Sequence, residues 1–463
     1  MNKRLNILCF VESDIVIRHF IDSGVLSSLT ANHDLTMVFP PENWKRINCD
    51  QERLNWPYPL VRISIPDKRR MIWGTLFALD SLKIRFGYGW WRLWKNRVAI
   101  VGWRRGIKGS IATLPGLNQI SIGRLRKQLE EIPPDKLREY LENNKFELIL
   151  HPSTFDGYFI NDIITEGKKL KIPTVLLMNS WDNPSIKRSV MEKPDFVGVW
   201  GEQTKHHAAH FMSIDPSRIW VTGAAQFDVY RVDPSISKQE LREEHQIPEG
   251  YKVLLFATSS KGSNDFLHLN WLDKAIEENQ LGKWKVIYRP HPYGIAASQA
   301  RAILAADWSN VIVEASMVDF MKRLAEDRHQ GLYMAKYQRT HDLLSHVDAV
   351  VSPLSTIIIE AAVHGLPVMC FSPAEEPGSK TWRANKRLMH FDEIKKSPLV
   401  VYATKYAEFL PGIRELFEKA DNPNFSNQIR IFSNQFVEFW PDSYSAAVNE
   451  LIEYAAAETF GKA

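Results

Sequence analysis

The reactive residue types of this chain gather in short stretches that each follow an apolar, strand-like run. The most informative is VVSPLSTIIIEAAVHGLPVMCF, from Val350 to Phe371, which reads as a strand, a Ser/Pro-rich turn, a helix, a glycine stop and a second strand. Ser355 and Thr356 fall where that helix should begin. Their hydroxyls and the neighbouring backbone N–H groups then converge on one small volume suited to an anion. Glu360 stands four residues after Thr356, on the same helical face one turn deeper, where a carboxylate can accept hydrogen bonds from vicinal ribose hydroxyls. Gly365 closes the helix ahead of Leu366 and Pro367. The plainer reading is a capped helix start with a solvated glutamate.

A second motif tips that balance. R-P-H-P at 289 to 292 follows the run WKVIYR directly, at the carboxyl edge of a strand, where open α/β folds bind ligands. Arg289 and His291 project from one side of the extended chain, and the flanking prolines stiffen it, so the imidazole can donate to a phosphate or a base. A third loop, TSSKGSND from Thr258 to Asp265, offers Ser259 and Lys261 to the same phosphates, although Ser/Gly loops after strands are common.

In the first half, LLMNSWDNPSIK from Leu176 to Lys187 places Trp181, Asp182 and Asn183 after a strand. Asp182 is the leading general base, with Trp181 beside it as a surface for stacking on a sugar face. Asp156, in HPSTFDGYF, is the competing acid, and for both the plain alternative is a helix cap or an Asx turn. Asp14 and His19 lie beyond the first strand and line the same side, unless they are ordinary helix-start residues. His206 and His207 lack a third ligand at metal spacing.

These residues need a frame, and the alternation of short apolar runs with segments of helical period supplies one: βαβ units on parallel sheets. At 463 residues the chain exceeds one ordinary core, so two domains are expected. A polar stretch near Pro234 to Lys252 marks their boundary. The expected division is 1–228, with an elaboration at 66–130 ending in a helix near 122 to 142, then 229–435, then a C-terminal helix from 436 to 463 that packs back on the first domain. Neither an internal repeat nor a G-x-G-x-x-G fingerprint occurs, which disfavours a hydride-transfer dinucleotide enzyme.

Net charge is +4, yet between Lys68 and Lys108 eleven Lys or Arg face one acid, Asp80, and five tryptophans are interleaved with them. Such a segment suits an anionic membrane surface or a phosphate-bearing acceptor, or else it is a core of tryptophans under a solvated basic face. No nucleic-acid-binding motif accompanies the charge. The three cysteines are far apart and lie mostly in apolar sequence, which points to reduced thiols and a cytoplasmic setting. The opening run MNKRLNILCF is interrupted by Glu12 and Asp14 and reads as a buried strand.

The paired α/β series, with H-P at His291 and S-T at Ser355 and Thr356, resembles the GT-B glycosyltransferase superfamily over most of the chain. Within it the motifs are similar to those of bacterial sialyltransferases and Kdo transferases. The layout also resembles CDP-glycerol glycerophosphotransferases and the non-hydrolysing UDP-N-acetylglucosamine 2-epimerases. The resemblance implies two Rossmann-like domains facing a central cleft and a nucleotide-sugar donor, CMP- or UDP-linked. Arg289, His291, Ser355, Thr356 and Glu360 would contact that donor, aided by Ser259 and Lys261. W-D-N departs from the acidic pair followed by glycine in the sialyltransferase-like families, which puts the transfer of the base role to Asp182 in doubt. No two aspartates stand two apart, so the D-x-D metal signature is absent, and a metal-independent, inverting reaction without a cofactor is expected. The acceptor would be a surface polysaccharide or glycolipid, reached at the inner face of the membrane. A polyol-phosphate transferase, an epimerase and a non-catalytic binding protein are the alternatives.

Overall fold

The computed structural model describes residues 4–47, 59–84, 86, 89–153, 157–258, 263–328, 332–333, 335–375 and 387–460. The chain divides into two compact units, the first formed by residues 1–228, 387–390 and 435–463, the second by 229–386 and 391–434.

The first unit is built on seven parallel strands: β1 (Asn6–Phe10), β2 (Asp34–Phe39), β3 (Leu60–Arg62), β4 (Leu148–Ser153), β5 (Thr174–Met178), β6 (Phe196–Val199) and β7 (Ile219–Val221). Their order across the sheet is β3-β2-β1-β4-β5-β6-β7. The second unit carries six: β8 (Lys252–Ala257), β9 (Trp284–Arg289), β10 (Val311–Val313), β11 (Ala349–Ser352), β12 (Val368–Phe371) and β13 (Val400–Ala403), ordered β10-β9-β8-β11-β12-β13. Every pairing is parallel. Helices on both faces explain why these strands read as continuous apolar runs: TVLLM is buried at every position and KVLLFA at all but its first. Both units are Rossmann-like, and the fold class is the α/β one expected from the sequence.

The helices that bear on function are α1 (Asp67–Leu82), α2 (Trp90–Val101), α3 (Trp103–Ala112), α4 (Leu117–Glu130), α5 (Asp135–Asn143), α6 (Ile160–Leu170), α7 (Asn183–Lys187), α8 (Ile357–Val363) and α9 (Tyr444–Phe460). The single helix expected near 122 to 142 is two, because Pro133 and Pro134 between α4 and α5 cannot continue a helical ladder. The C-terminal segment belongs to the first unit. The Gln203 N–H donates to the Gln435 carbonyl and the Glu438 N–H to the Trp200 carbonyl, so the chain lies over the β6 end before α9 begins. Gly201 permits that approach, since a Cβ there would sit 2.6 Å from the Phe436 carbonyl carbon.

A buried ion pair fastens the basic elaboration to the Rossmann core. Arg69 of α1 donates from Nε to Asp162 of α6 at 2.6 Å, and its Nη1 donates to the Leu129 and Ile132 carbonyls at 2.6 and 2.8 Å. The indole of Trp73 donates to the same aspartate at 2.8 Å. Burial raises the Asp162 pKa, against the pull of the arginine and the indole. One guanidinium thus ties α1 to α6 and to the end of α4. Replacing Arg69 with alanine strands a buried carboxylate and is expected to cost about 3 to 5 kcal/mol. Urea unfolding would read this as a lowered midpoint, and Arg69→Met with Asp162→Leu should recover most of it.

Candidate functional site

In an open parallel sheet, ligands bind outside the carboxyl ends of the strands, at the point where strand order reverses. In the second unit that point lies between β8 and β11, which pair through Ala349, Val350 and Val351. β9 flanks β8 on the other side. The segments that follow these three strands, starting at Thr258, Pro290 and Pro353, therefore open at one sheet edge. The motifs at His291 and at Ser355, more than sixty residues apart in sequence, thus leave the same sheet edge from the two strands that flank β8.

His291 is fixed by its own backbone and its neighbour's. Its N–H donates to Thr258 Oγ1 at 3.1 Å, and the Tyr293 N–H donates to its Nδ1 at 3.0 Å. A neutral ring that accepts at Nδ1 carries its proton on Nε2, which makes Nε2 a hydrogen-bond donor. The Tyr293 ring lies nearly parallel to it, with centroids 5.8 Å apart. Arg289 is different: it is buried, and its charge helps to hold the fully buried Glu314 below the ordinary carboxylate range, together with Arg339.

The turn after β11 orders Ser355 through a hydroxyl contact with the buried Ser352, Oγ to Oγ 2.8 Å. Thr356 occupies the N-cap of α8 without a side-chain capping bond. α8 has only seven residues, so its macrodipole is weak. An anion here would depend on hydroxyls, local N–H groups and the imidazole. Glu360, nearly buried, accepts a hydrogen bond from the Tyr230 hydroxyl at 2.5 Å.

Tyr230 opens onto a histidine pair that the sequence reading missed. Its ring meets His364 edge-on at 4.6 Å and His341 at 5.4 Å. His341 Nδ1 lies 2.8 Å from His364 Nε2, His341 Nε2 lies 2.8 Å from the Val232 carbonyl, and His364 Nδ1 lies 2.7 Å from the Glu360 carbonyl. Both ends of this relay are carbonyl acceptors. His341 Nδ1 also lies 3.3 Å from the Ser345 hydroxyl. Burial lowers the His364 pKa to about 4, and the charges of His341 and Arg430 push in the same direction.

In the first unit the order reverses between β1 and β4. There Glu12 and His151, both buried, approach to 3.0 Å between Oε1 and Nε2. Glu12 Oε2 accepts the Phe159 N–H at 3.1 Å and also the Tyr158 N–H. Gly157 is required by this approach, since a Cβ there would fall 1.7 Å from Glu12 Oε1. Neither residue was singled out from sequence; a polar residue at each of two adjacent strand ends was the available signal. Asp14 is buried just beyond them at the start of a short helix, and His19 contacts the Asn179 carbonyl at 3.1 Å.

Asp182 stands at the N-cap position of α7 without a side-chain capping bond, the Ser180 hydroxyl donates to its carboxylate at 2.5 Å, and burial raises its pKa despite that bond and Lys187. Trp181 corrects the sequence expectation. It is 1% exposed, edge-on to His390 at 4.9 Å and to Phe436 at 5.6 Å, so its ring fills the unit's core and presents no open face for a sugar. Asp156, Ser259 and Lys261 lie outside the described residues, as does Cys49; Cys9 and Cys370 are buried free thiols. Among the described residues, no group of three His, Cys, Asp or Glu could hold a metal ion, and no helix is long and apolar enough to cross a membrane.

No family model matches the chain. No curated protein matches it either. Solved structures do. A Listeria monocytogenes protein with the provisional description UDP-N-acetylglucosamine 2-epimerase is similar at a TM-score of 0.53 and 11% identity, over 98% of this chain and 97% of that one. Arabidopsis thaliana UGT89C1 complexed with UDP-L-rhamnose is similar at 0.50 and 12%, over 98% and 100%. A single-residue variant of the wall teichoic acid polymerase TagF is similar at 0.50 and 10%, over 99% and 90%. At these identities the likeness is one of fold: two Rossmann-like domains of the GT-B type.

The histidine relay makes the second unit sensitive to acid. A His364 value depressed from 6.5 to about 4 means that the unfolded chain takes up the proton first, so this contribution is complete above about pH 6.5 and is lost as pH falls through about 4. It amounts to up to about 3 kcal/mol. Unfolding midpoints measured across that range should fall less steeply in His364→Gln than in the parent chain.

Proposed function

We propose that this chain is a glycosyltransferase of GT-B fold whose second unit holds a nucleotide-activated sugar at the carboxyl edge of β8, β9 and β11. The observation that supports it most directly is the strand order: the segments bearing His291 and Ser355–Thr356 follow β9 and β11, the two strands that flank β8, with Glu360 one helical turn beyond Thr356. Diphosphate or monophosphate oxygens would accept from His291 Nε2 and the two hydroxyls, and the ribose hydroxyls would donate to Glu360. UGT89C1, complexed with UDP-L-rhamnose, shows the fold serving a donor of this chemical class.

In the reaction we assign, an acceptor hydroxyl oxygen attacks the anomeric carbon and its proton passes to Asp182. The bond from that carbon to the phosphate oxygen breaks, and the charge left on phosphate is met by the His291 imidazole and the hydroxyls of Ser355 and Thr356. No metal ion is required by this scheme. Attack from the face opposite the leaving group would invert the anomeric configuration. A raised carboxyl pKa suits a base, because it brings proton affinity closer to working pH. The acceptor class we favour is a surface polysaccharide or glycolipid. The second reading, an epimerase, draws on the Listeria neighbour and needs no acceptor.

Thermal-shift measurement with CMP-, CDP-, UDP- and GDP-linked sugars should show stabilisation by one nucleotide class, reduced in His291→Ala. Tyr230→Phe removes a bond to a charged acceptor and should raise KM for the donor about tenfold with little change in kcat. Asp182→Asn should bind donor normally and lose turnover, and the acid limb of the parent pH–rate profile should lie above the ordinary carboxylate range. Stabilisation by no nucleotide would refute the donor site. Turnover of donor without acceptor would favour the epimerase, and a phosphodiester product a polyol-phosphate transferase.

A further inference from the structure

The basic elaboration presents its large apolar side chains to solvent. Of the sixteen large hydrophobic residues exposed among those described, nine fall between Phe86 and Ile120. The helix α3, WRRGIKGSIA, shows how this comes about. Gly106 and Ser110 of α3 and Thr113 just after it are buried, whereas Trp103, Ile107, Ile111 and Leu114 are 43 to 50% exposed. At 100° per residue those four span an arc of about 80° on one face of the helix. The outward stripe continues through Leu117 and Ile120 of α4.

This inversion is built in. A Cβ at Gly106 would lie 2.9 Å from the Val98 Cα, and one at Gly109 would lie 2.6 Å from a Leu82 methyl carbon, so α3 sits with its backbone almost against α2 and the end of α1. The Ser110 hydroxyl accepts from the Trp94 indole at 2.9 Å and lies 3.3 Å from the Leu82 carbonyl, locking the rotation of α3 about its axis. Only small residues fit the inner face, and the aliphatic side chains have nowhere to go but outward. Solvent-exposed Arg104, Arg105 and Lys108 border the stripe. From Gly89 to Leu129 the sequence has nine Lys or Arg and no Asp or Glu.

We infer that α3 and the start of α4 form a docking surface for an anionic lipid bilayer, with the Trp103–Leu114 stripe entering the headgroup–acyl boundary and the flanking cations on phosphate headgroups. The charge identifies the occupant. A second copy of this face would bring exposed Arg104, Arg105 and Lys108 against the same three cations, and a nucleic acid would leave the isoleucines and leucines in contact with phosphate and water. An anionic bilayer satisfies both halves of the surface, apolar depth and negative headgroups. The inference does not depend on which reaction the chain catalyses.

Co-flotation of the full chain with phosphatidylcholine vesicles, alone or containing phosphatidylglycerol, tests it. Binding is expected only with the anionic lipid. Arg104→Gln, Arg105→Gln and Lys108→Gln combined should weaken it about a hundredfold, at roughly fivefold per cation. Ile107→Ser with Ile111→Ser should confine the remaining binding to low salt. These positions are exposed, so circular dichroism and thermal midpoint should match the parent; if the serine variant unfolds, quenching of parent tryptophan fluorescence by brominated lipid reads the insertion instead. Failure of the parent to float, equal binding to neutral vesicles, or a dimer in sedimentation velocity that the serine variant abolishes would each overturn the proposal.

Discussion

Parallel strands set the constraint on which the rest depends. When every strand of a sheet runs the same way and both faces are covered, polar chemistry has no place along the strands and collects where they end. Both units obey this. In the first, Glu12 just past β1 meets His151 in the second half of β4. In the second, Thr258, Arg289 and Ser352 close β8, β9 and β11, and all three are buried. The residues that reach further out, His291 and Ser355, are held by those buried neighbours: Thr258 Oγ1 takes the His291 N–H, and Ser352 contacts Ser355. The sheet edge is therefore two layers deep, a buried polar layer that fixes geometry and an outer, half-buried layer of His291 and Ser355.

That layering explains what sequence could disclose. KVLLFA and WKVIYR can be read as strands because burial on both faces demands unbroken apolar runs, and the observed bounds of β8 and β9 are those of the runs themselves. The positions of His291 and Ser355 were legible too, since each follows closely on such a run. The long-range partners of the buried groups, Tyr230, His341 and His364, were not. Tyr230 and Glu360 are 130 residues apart, and His341 bonds to a carbonyl 109 residues away. No local spacing encodes such contacts. Trp181 failed for the converse reason: aromatic residues beside an acid after a strand suggest a sugar platform, but whether the ring is covered depends on Phe436, which arrives from the far end of the chain.

The relay of His341 and His364 shows why the inner layer matters to the outer one. Glu360 is engaged twice, its carboxylate by Tyr230 and its carbonyl by His364. A carboxylate at 8% exposure would ordinarily pay heavily for ionisation. A hydroxyl donor on one oxygen lowers that cost without removing the group from the surface. The Gly365 cap, where a Cβ would fall 2.1 Å from the Ser426 hydroxyl, ends α8 immediately after the relay and keeps it short.

The elaboration of the first unit follows a different logic, because its composition was plain and its orientation was not. Eleven basic residues and five tryptophans between Lys68 and Lys108 fit either a buried aromatic core or an exposed one. The structure divides them. Trp73 turns inward to Asp162 beside Arg69, whereas Trp91 and Trp103 are about half exposed. The division rests on two features with opposite chemistry: a buried ion pair that anchors α1, and a glycine and serine face that lets α3 lie so close that its aliphatic residues must point away. An ion pair buried this deeply is seldom the cheapest way to stabilise a helix contact, but its directional bonds fix α1 in one orientation. With α1 fixed and α3 laid against its end, the direction of the apolar stripe is determined by the fold instead of being left to a mobile tail.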